Sequence, residues 1–205
     1  MKLIGMLDSP YVRRVAISLK LLDIKFEHTS LSVFSAYDEF KHINPVVKAP
    51  TLITDDGIVL MESSLILEYI DRLAVPHPTL MPTDPKTFAQ AQRIVGIALA
   101  VCEKAVQAVY EYKLRPVEKQ YQSWLDRVHE QLNAALALLE QEAKMAHPWL
   151  FGESPFQADI TSVVAFRFAY EMLSDHVRPN TYPALAAYAA QAEASTAFLA
   201  YPYPS

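Results

Sequence analysis

The spacing of apolar residues changes several times along the chain, and each change marks an element. Leu3, Ile4, Met6 and Leu7 form a short run that stops at Asp8-Ser9-Pro10, which predicts a strand. From Pro10 the spacing becomes three and four, so Val12, Val15, Ala16, Leu19 and Leu22 line one face of a helix. Pro10 suits the first turn, where its missing N–H would have no partner, and Ser9 sits where strand turns into helix. Phe26 to Leu31 reads as a second strand and Ser32 to Ile43 as an irregular stretch. The segment NPVVKAPTL, residues 44 to 52, carries two prolines and is not helical. Thr51 to Thr54 and Ile58 to Met61 flank Asp55-Asp56-Gly57, which predicts an antiparallel hairpin. Glu62-Ser63-Ser64 then opens an amphipathic helix through Leu73, with a serine as N-cap.

Strand, helix, strand, irregular segment, hairpin and helix make a small mixed sheet covered by helices over residues 1–75. Residues 76–85, rich in proline, read as a linker. Residues 86–205 then read as all-helical, with helices predicted at Lys86 to Tyr112, Val117 to Ala146, Gln157 to Leu173 and Pro183 to Ala192. The tail YPYPS has too much proline to continue a helix.

Composition narrows the function. The 205 residues are 52% hydrophobic and 20% charged, the balance of a folded chain, and a net charge of -5 with scattered basic residues argues against nucleic acid or an anionic membrane as partner. The apolar stretches, such as Ile94 to Cys102, are far shorter than the roughly 20 residues of a membrane span. The N-terminus reaches Asp8 and Pro10 before any signal-like apolar run, so a cytoplasmic compartment is expected. Cys102 is alone and sits in an apolar helical run, which suits a buried small hydrophobe. His28, His42, His77, His129, His147 and His176 are widely spread, and no metal is expected.

Three motifs in this order resemble the glutathione transferases, of the bacterial-like, serine type: Ser9-Pro10-Tyr11 after the first strand, Asn44-Pro45 through Lys48-Ala49-Pro50, and Glu62-Ser63 before a helix. Ala158-Asp159-Ile160 also resembles that family's helix-opening motif. The chain departs from the pattern at Phe156, where a capping Ser or Thr is usual, and at Val47, where many relatives have Gly. The resemblance implies a thioredoxin-like α/β N-terminal domain, an all-α C-terminal bundle, a homodimer, and glutathione as co-substrate.

It also implies roles. Ser9 is either a helix cap or the hydroxyl that stabilises the glutathione thiolate, which makes it the catalytic candidate. No Tyr occupies positions 6 to 8, where tyrosine-type relatives place theirs, and Tyr11 reads as a pocket wall. Pro50 resembles the family's cis-proline, which would turn Ala49 toward the cysteinyl backbone of glutathione. Lys48 either meets a peptide carboxylate or is simply solvated. Glu62 and Ser63 match the pair that holds the γ-glutamyl end, although the same residues would also serve as a helix cap. An electrophile pocket between the domains is expected from Leu7, Tyr11, Phe34, Val106 and Tyr110. The implied activity is transfer of glutathione to small apolar electrophiles. Glutathione-dependent isomerisation or reduction is an alternative, and a non-catalytic scaffold with the same fold is another.

Overall fold

The computed structural model describes residues 1–74 and 79–204. The polypeptide divides into two compact units, Met1–Leu80 with Ser195–Ser205, and Met81–Ala194. Part of the expected linker, residues 75–78 with His77, lies outside the described residues.

The first unit is built on strands β1 (Lys2–Ile4), β2 (Glu27–Thr29), β3 (Thr51–Ile53) and β4 (Val59–Met61), in the order β2-β1-β3-β4. β1 runs parallel to β2 and antiparallel to β3, and β3 and β4 form the expected hairpin. Helices α1 (Pro10–Leu21) and α3 (Ser63–Leu73) pack together on one face of the sheet. There Leu3 and Leu52 meet Val12, Val15, Ala16, Leu19, Ile66, Leu67 and Ile70. Successive strand residues point to opposite faces, so Ile4 turns the other way, onto Leu31 and Phe40.

Phe40 belongs to a helix that the apolar spacing did not predict, α2 (Tyr37–Ile43). Only Phe40 of its residues is buried, so no apolar stripe marks it. The available signal is charge: Asp38 and Glu39 stand in its first turn, and Lys41 and His42 in its last, as the helix dipole favours.

The chain's end also belongs to this unit, although the sequence groups it with the helical half. Arg13, fully buried, donates from Nε to the Tyr201 carbonyl at 2.9 Å and lies over the Phe198 ring of α8 (Thr196–Leu199). The rings of Tyr201 and Phe26 meet at a tilt, with centroids 5.5 Å apart. A buried cation needs such partners, and the C-terminal segment supplies them.

In the second unit, α4 (Pro85–Leu114) packs against both α5 (Gln122–Ala143) and α6 (Gln157–Met172). Asp84 caps α4 by accepting from the Thr87 amide at 2.9 Å. The single helix expected from Val117 to Ala146 is interrupted, with a 3-10 turn at Val117–Lys119 ahead of α5. Buried Glu111 holds that junction by accepting from Tyr121 N and Arg115 Nε. Nearly every residue from Gln157 to Ala169 of α6 is buried, which marks it as the unit's central helix. Glu140 of α5 accepts from the amides of Ala184 and Leu185 and so caps α7 (Pro183–Glu193) from outside. Phe156 offers α6 no side-chain cap; Asp159 accepts from the amides of Phe156 and Leu150, both at 2.7 Å, and from the Tyr188 hydroxyl. Burial pushes the Asp159 carboxyl up, and these donors oppose the shift.

Gly5 closes the first unit tightly. Its φ is +138°, and an added Cβ would stand 2.6 Å from Val12 Cγ2 and 3.1 Å from Ala49 Cβ. Gly5→Ala therefore combines a clash with a disfavoured backbone and should cost about 3 kcal/mol. In a chain of this size that lowers Tm by about 6–12 °C, readable by calorimetry; an unchanged Tm would mean that α1 is not pressed against this strand end.

Candidate functional site

Register gathers the motif residues. Ile4 pairs with Thr51, and Thr51 pairs with Met61, so these three lie in one row across the sheet. Ser9 follows the end of β1, Ala49 and Pro50 precede the start of β3, and Glu62 follows the end of β4. All three segments therefore leave the sheet at the same end. Thr29, also paired with Ile4, sends the chain toward Phe34 there. Two strand spacings make the row about 10 Å wide, close to the roughly 10 Å reach of three extended residues.

Ser9 is the N-cap of α1, and its Oγ accepts from the Val12 amide at 3.4 Å. A serine hydroxyl has one proton to give and two lone pairs to receive with. Capping uses a lone pair and leaves the proton, so a cap and a donor can be the same group. Tyr11 is the second residue of α1, one turn position past Pro10, and is half-buried.

The peptide bond from Ala49 to Pro50 is cis. Lys48 is exposed, Ala49 half-buried and Pro50 buried. This loop is fastened by Asn44, which is only 1% exposed. Its Nδ2 donates to Thr51 Oγ1 at 2.8 Å, its Oδ1 accepts from the Val46 amide at 3.0 Å, and its carbonyl accepts from Val47 N at 2.9 Å. Thr51 Oγ1 in turn donates to the Lys48 carbonyl at 2.7 Å. Val47 has φ +52°, the left-handed conformation that a glycine would adopt freely. A β-branched side chain pays for that conformation, and here Val47 packs against the Ile4, Leu31 and Phe40 cluster. The loop therefore keeps a glycine-like backbone without a glycine.

The N-cap of α3 is Glu62, one residue before the serine expected there. Its φ of +75° is unusual for a non-glycine, and Oε2 accepts from the amides of Ser64 and Leu65 at 3.1 and 3.3 Å. Because one carboxylate oxygen does the capping, the other is available to a ligand donor. Ser63 is buried at the first position of α3. Arg14, a buried residue of α1, donates from Nη1 to Ser63 Oγ at 3.3 Å and to Ser64 Oγ at 3.4 Å. An acid and a hydroxyl backed by a guanidinium thus stand side by side at a helix N-terminus, which suits a group carrying both signs of charge.

Of the expected pocket residues, Leu7 packs on the core under α1, and Phe34 is 56% exposed. In the second unit, Val106 and Tyr110 lie four apart on α4, hence on one helix face, with Tyr110 45% exposed. Residue patterns did not single out Asn44 or Arg14. Asn44 precedes a proline, a turn signal that could have marked it; Arg14 interrupts the apolar face of α1, and a charge at such a position has to find polar partners.

A family model of the glutathione S-transferase N-terminal domain matches residues 3–79. The uncharacterized GST-like protein YibF of Escherichia coli (strain K12) is 32% identical over 140 residues, which is 68% of this chain and 68% of that protein. Glutathione transferase GST 23 of Zea mays and glutathione S-transferase U4 of Arabidopsis thaliana match over 49% and 40% of their own length. A glutathione S-transferase from Methylobacterium radiotolerans, solved in complex with glutathione sulfonate, superposes with a TM-score of 0.89 at 25% identity, covering 100% of this chain and 95% of that one. A glutathione transferase family member from Pseudomonas fluorescens Pf-5 with bound glutathione gives 0.84 at 28% identity, covering 100% and 99%.

Asn44→Ala removes a buried donor and acceptor together and should cost about 2 kcal/mol in urea denaturation. Hydrogen exchange at Val46 should accelerate while Leu52, inside β3, stays protected; equal protection of both in the variant would show that Asn44 does not hold the loop.

Proposed function

The chain belongs to the glutathione transferase superfamily, and on that premise we propose that it transfers the glutathione thiolate to small apolar electrophiles. The observation that supports this most is Ser9, a serine whose hydroxyl caps α1 with a lone pair and keeps its proton for a sulfur anion. A free thiol of pKa about 8.5 is mostly protonated at neutral pH. One hydrogen bond to the thiolate contributes roughly 1.5–3 kcal/mol, and each 1.36 kcal/mol is about one pKa unit. Ser9 alone can therefore make the thiolate abundant, with the positive end of α1 adding to the effect.

The remaining residues orient the tripeptide. Ala49 presents backbone N–H and C=O to the cysteinyl residue in a strand-like manner, beside Pro50. Glu62 receives the γ-glutamyl ammonium through its free oxygen. Ser63, with Arg14 behind it, receives the γ-glutamyl carboxylate. Lys48, exposed at the loop, meets the other terminal carboxylate. On the electrophile the thiolate attacks carbon, the carbon–sulfur bond forms as the leaving group departs with its electron pair, and the thiol proton has already gone to solvent. Leu7, Tyr11 and Phe34 are the first unit's apolar residues for the acceptor.

Ser9→Ala should raise the apparent pKa of bound glutathione by about one to two units. Turnover with an aryl halide should fall about ten- to a hundredfold at neutral pH, and the deficit should shrink at alkaline pH, where the thiol ionises without help. Thiolate absorbance in the ultraviolet reads this directly. If both absorbance and rate profile were unchanged, Ser9 would be a cap alone and Tyr11 the next donor to test.

We also propose a two-fold homodimer working in the cytoplasm, where glutathione keeps a lone thiol such as Cys102 reduced. Of Phe88, Ile94 and Leu99 on the first long helix, Phe88 is 40% exposed and suits an interface, Leu99 is half-buried, and Ile94 is buried inside its own unit. Light scattering at micromolar concentration should give twice the chain mass; a monomer mass would reject the dimer.

A further inference from the structure

His28 is the middle residue of β2 and pairs with Leu3 across the parallel ladder, so its side chain shares the sheet face that α1 and α3 cover. The ring is half-buried on this edge strand, and its Nε2 lies 2.8 Å from the Gly5 carbonyl oxygen. A carbonyl has no proton to give, so Nε2 carries the proton and the imidazole donates. The backbone sets the need for that donor. Pairing of β1 with β2 ends at Ile4 and Thr29. The Gly5 amide still reaches the Thr29 carbonyl at 3.1 Å, but the chain turns there at φ +138°, and the carbonyl of this buried residue lies past the end of the ladder. A buried carbonyl left without a donor is costly, and the imidazole takes the place of a strand amide. Both backbone groups of Gly5 are thereby tied to β2.

Gly5 is also pressed by two of the motif segments. An added Cβ would stand 2.6 Å from Val12 Cγ2 of α1 and 3.1 Å from Ala49 Cβ. From Gly5 the chain makes a single turn, closed by the Ser9 amide donating to the Met6 carbonyl at 3.2 Å, and Ser9 Oγ then accepts from the amide of the same Val12. Only Met6, Leu7 and Asp8 separate the residue that His28 holds from the residue whose hydroxyl is proposed to meet sulfur. A shift at Gly5 is therefore passed along a short, closed turn to that hydroxyl.

We propose that His28 is a positioning residue for the thiolate site: through the Gly5 carbonyl, its Nε2–H fixes the turn from Gly5 to Ser9 and with it the direction in which the Ser9 hydroxyl donates. This role rests on the reading of Ser9 as thiolate donor, and adds that the donor is aimed from β2 by a side chain outside the three motifs. A misplacement of about 1 Å caused far from the chemistry can cost about a hundredfold in rate, so a single hydrogen bond behind the turn has leverage on catalysis.

The test is ultraviolet titration of the bound glutathione thiolate, with kcat and KM measured on an aryl halide, in single and paired variants of the full chain. His28→Leu should raise the apparent pKa by about half a unit to one unit, less than Ser9→Ala does, and lower kcat about three- to tenfold at neutral pH. KM for glutathione should stay within about twofold, because the proposed contacts at Glu62 and Ser63 are untouched. His28→Gln, whose Nε2 stands as many bonds from the backbone as that of the imidazole, should restore the original profile. His28→Asn, with its nitrogen one bond short, should behave as His28→Leu. In the Ser9→Ala background His28→Leu should add no further shift, since both act through one hydroxyl. An unshifted pKa in His28→Leu, with Ser9→Ala shifted, would overturn this role and leave the reading of Ser9 standing; no shift in Ser9→Ala would overturn both. A His28→Leu shift that persists without the Ser9 hydroxyl, or equal profiles for His28→Gln and His28→Asn, would also overturn it, and the second comparison decides alone if His28→Leu does not fold.

Discussion

The register that sets Ile4, Thr51 and Met61 in one row is the constraint on which the rest depends. Strand pairing is quantised: a slip of one residue would exchange Leu3 and Ile4 between faces and bury the wrong side chains. The two apolar clusters, one under α1 and α3 and the other around Phe40, therefore lock the row as firmly as the hydrogen bonds do. Once it is locked, three loops from distant parts of the sequence have no choice about where they emerge.

Those loops are held by groups that do two jobs. Ser9 and Glu62 each terminate a helix, which fixes their rotamers through the amides they receive. The same attachment leaves over a hydroxyl proton in one case and a carboxylate oxygen in the other, the two groups that the proposed function uses. Two helix N-termini, those of α1 and α3, thus contribute both the scaffold and the electrostatics of the proposed site. Asn44 plays the corresponding part for the middle loop, where no helix begins.

Much of this was legible in the residues. Alternation and helical spacing located the thioredoxin-like strands and the amphipathic helices to within a few positions, because each buries a regular face. Helix α2 was hidden because a single aromatic, Phe40, anchors it. Glu62 in place of serine as the α3 cap was hidden for another reason: its positive φ has no local sequence signature. Arg14 matters through Ser63, 49 residues along the chain, and Asn44 through Thr51 on the far side of its own loop, and only folding pairs them. Val47 shows the opposite error, since a valine gave no reason to expect a backbone that glycine would choose.

Arg13 and its partners have a consequence in time as well as in space. The carbonyl of Tyr201 is synthesised 188 residues after the Arg13 it serves, and the ring of Phe198 shortly before it. A ribosome therefore releases the whole second unit before the first one can close over its buried guanidinium. The second unit is thus an insertion in the first, and the first unit's full set of partners is on hand only once the second has been made.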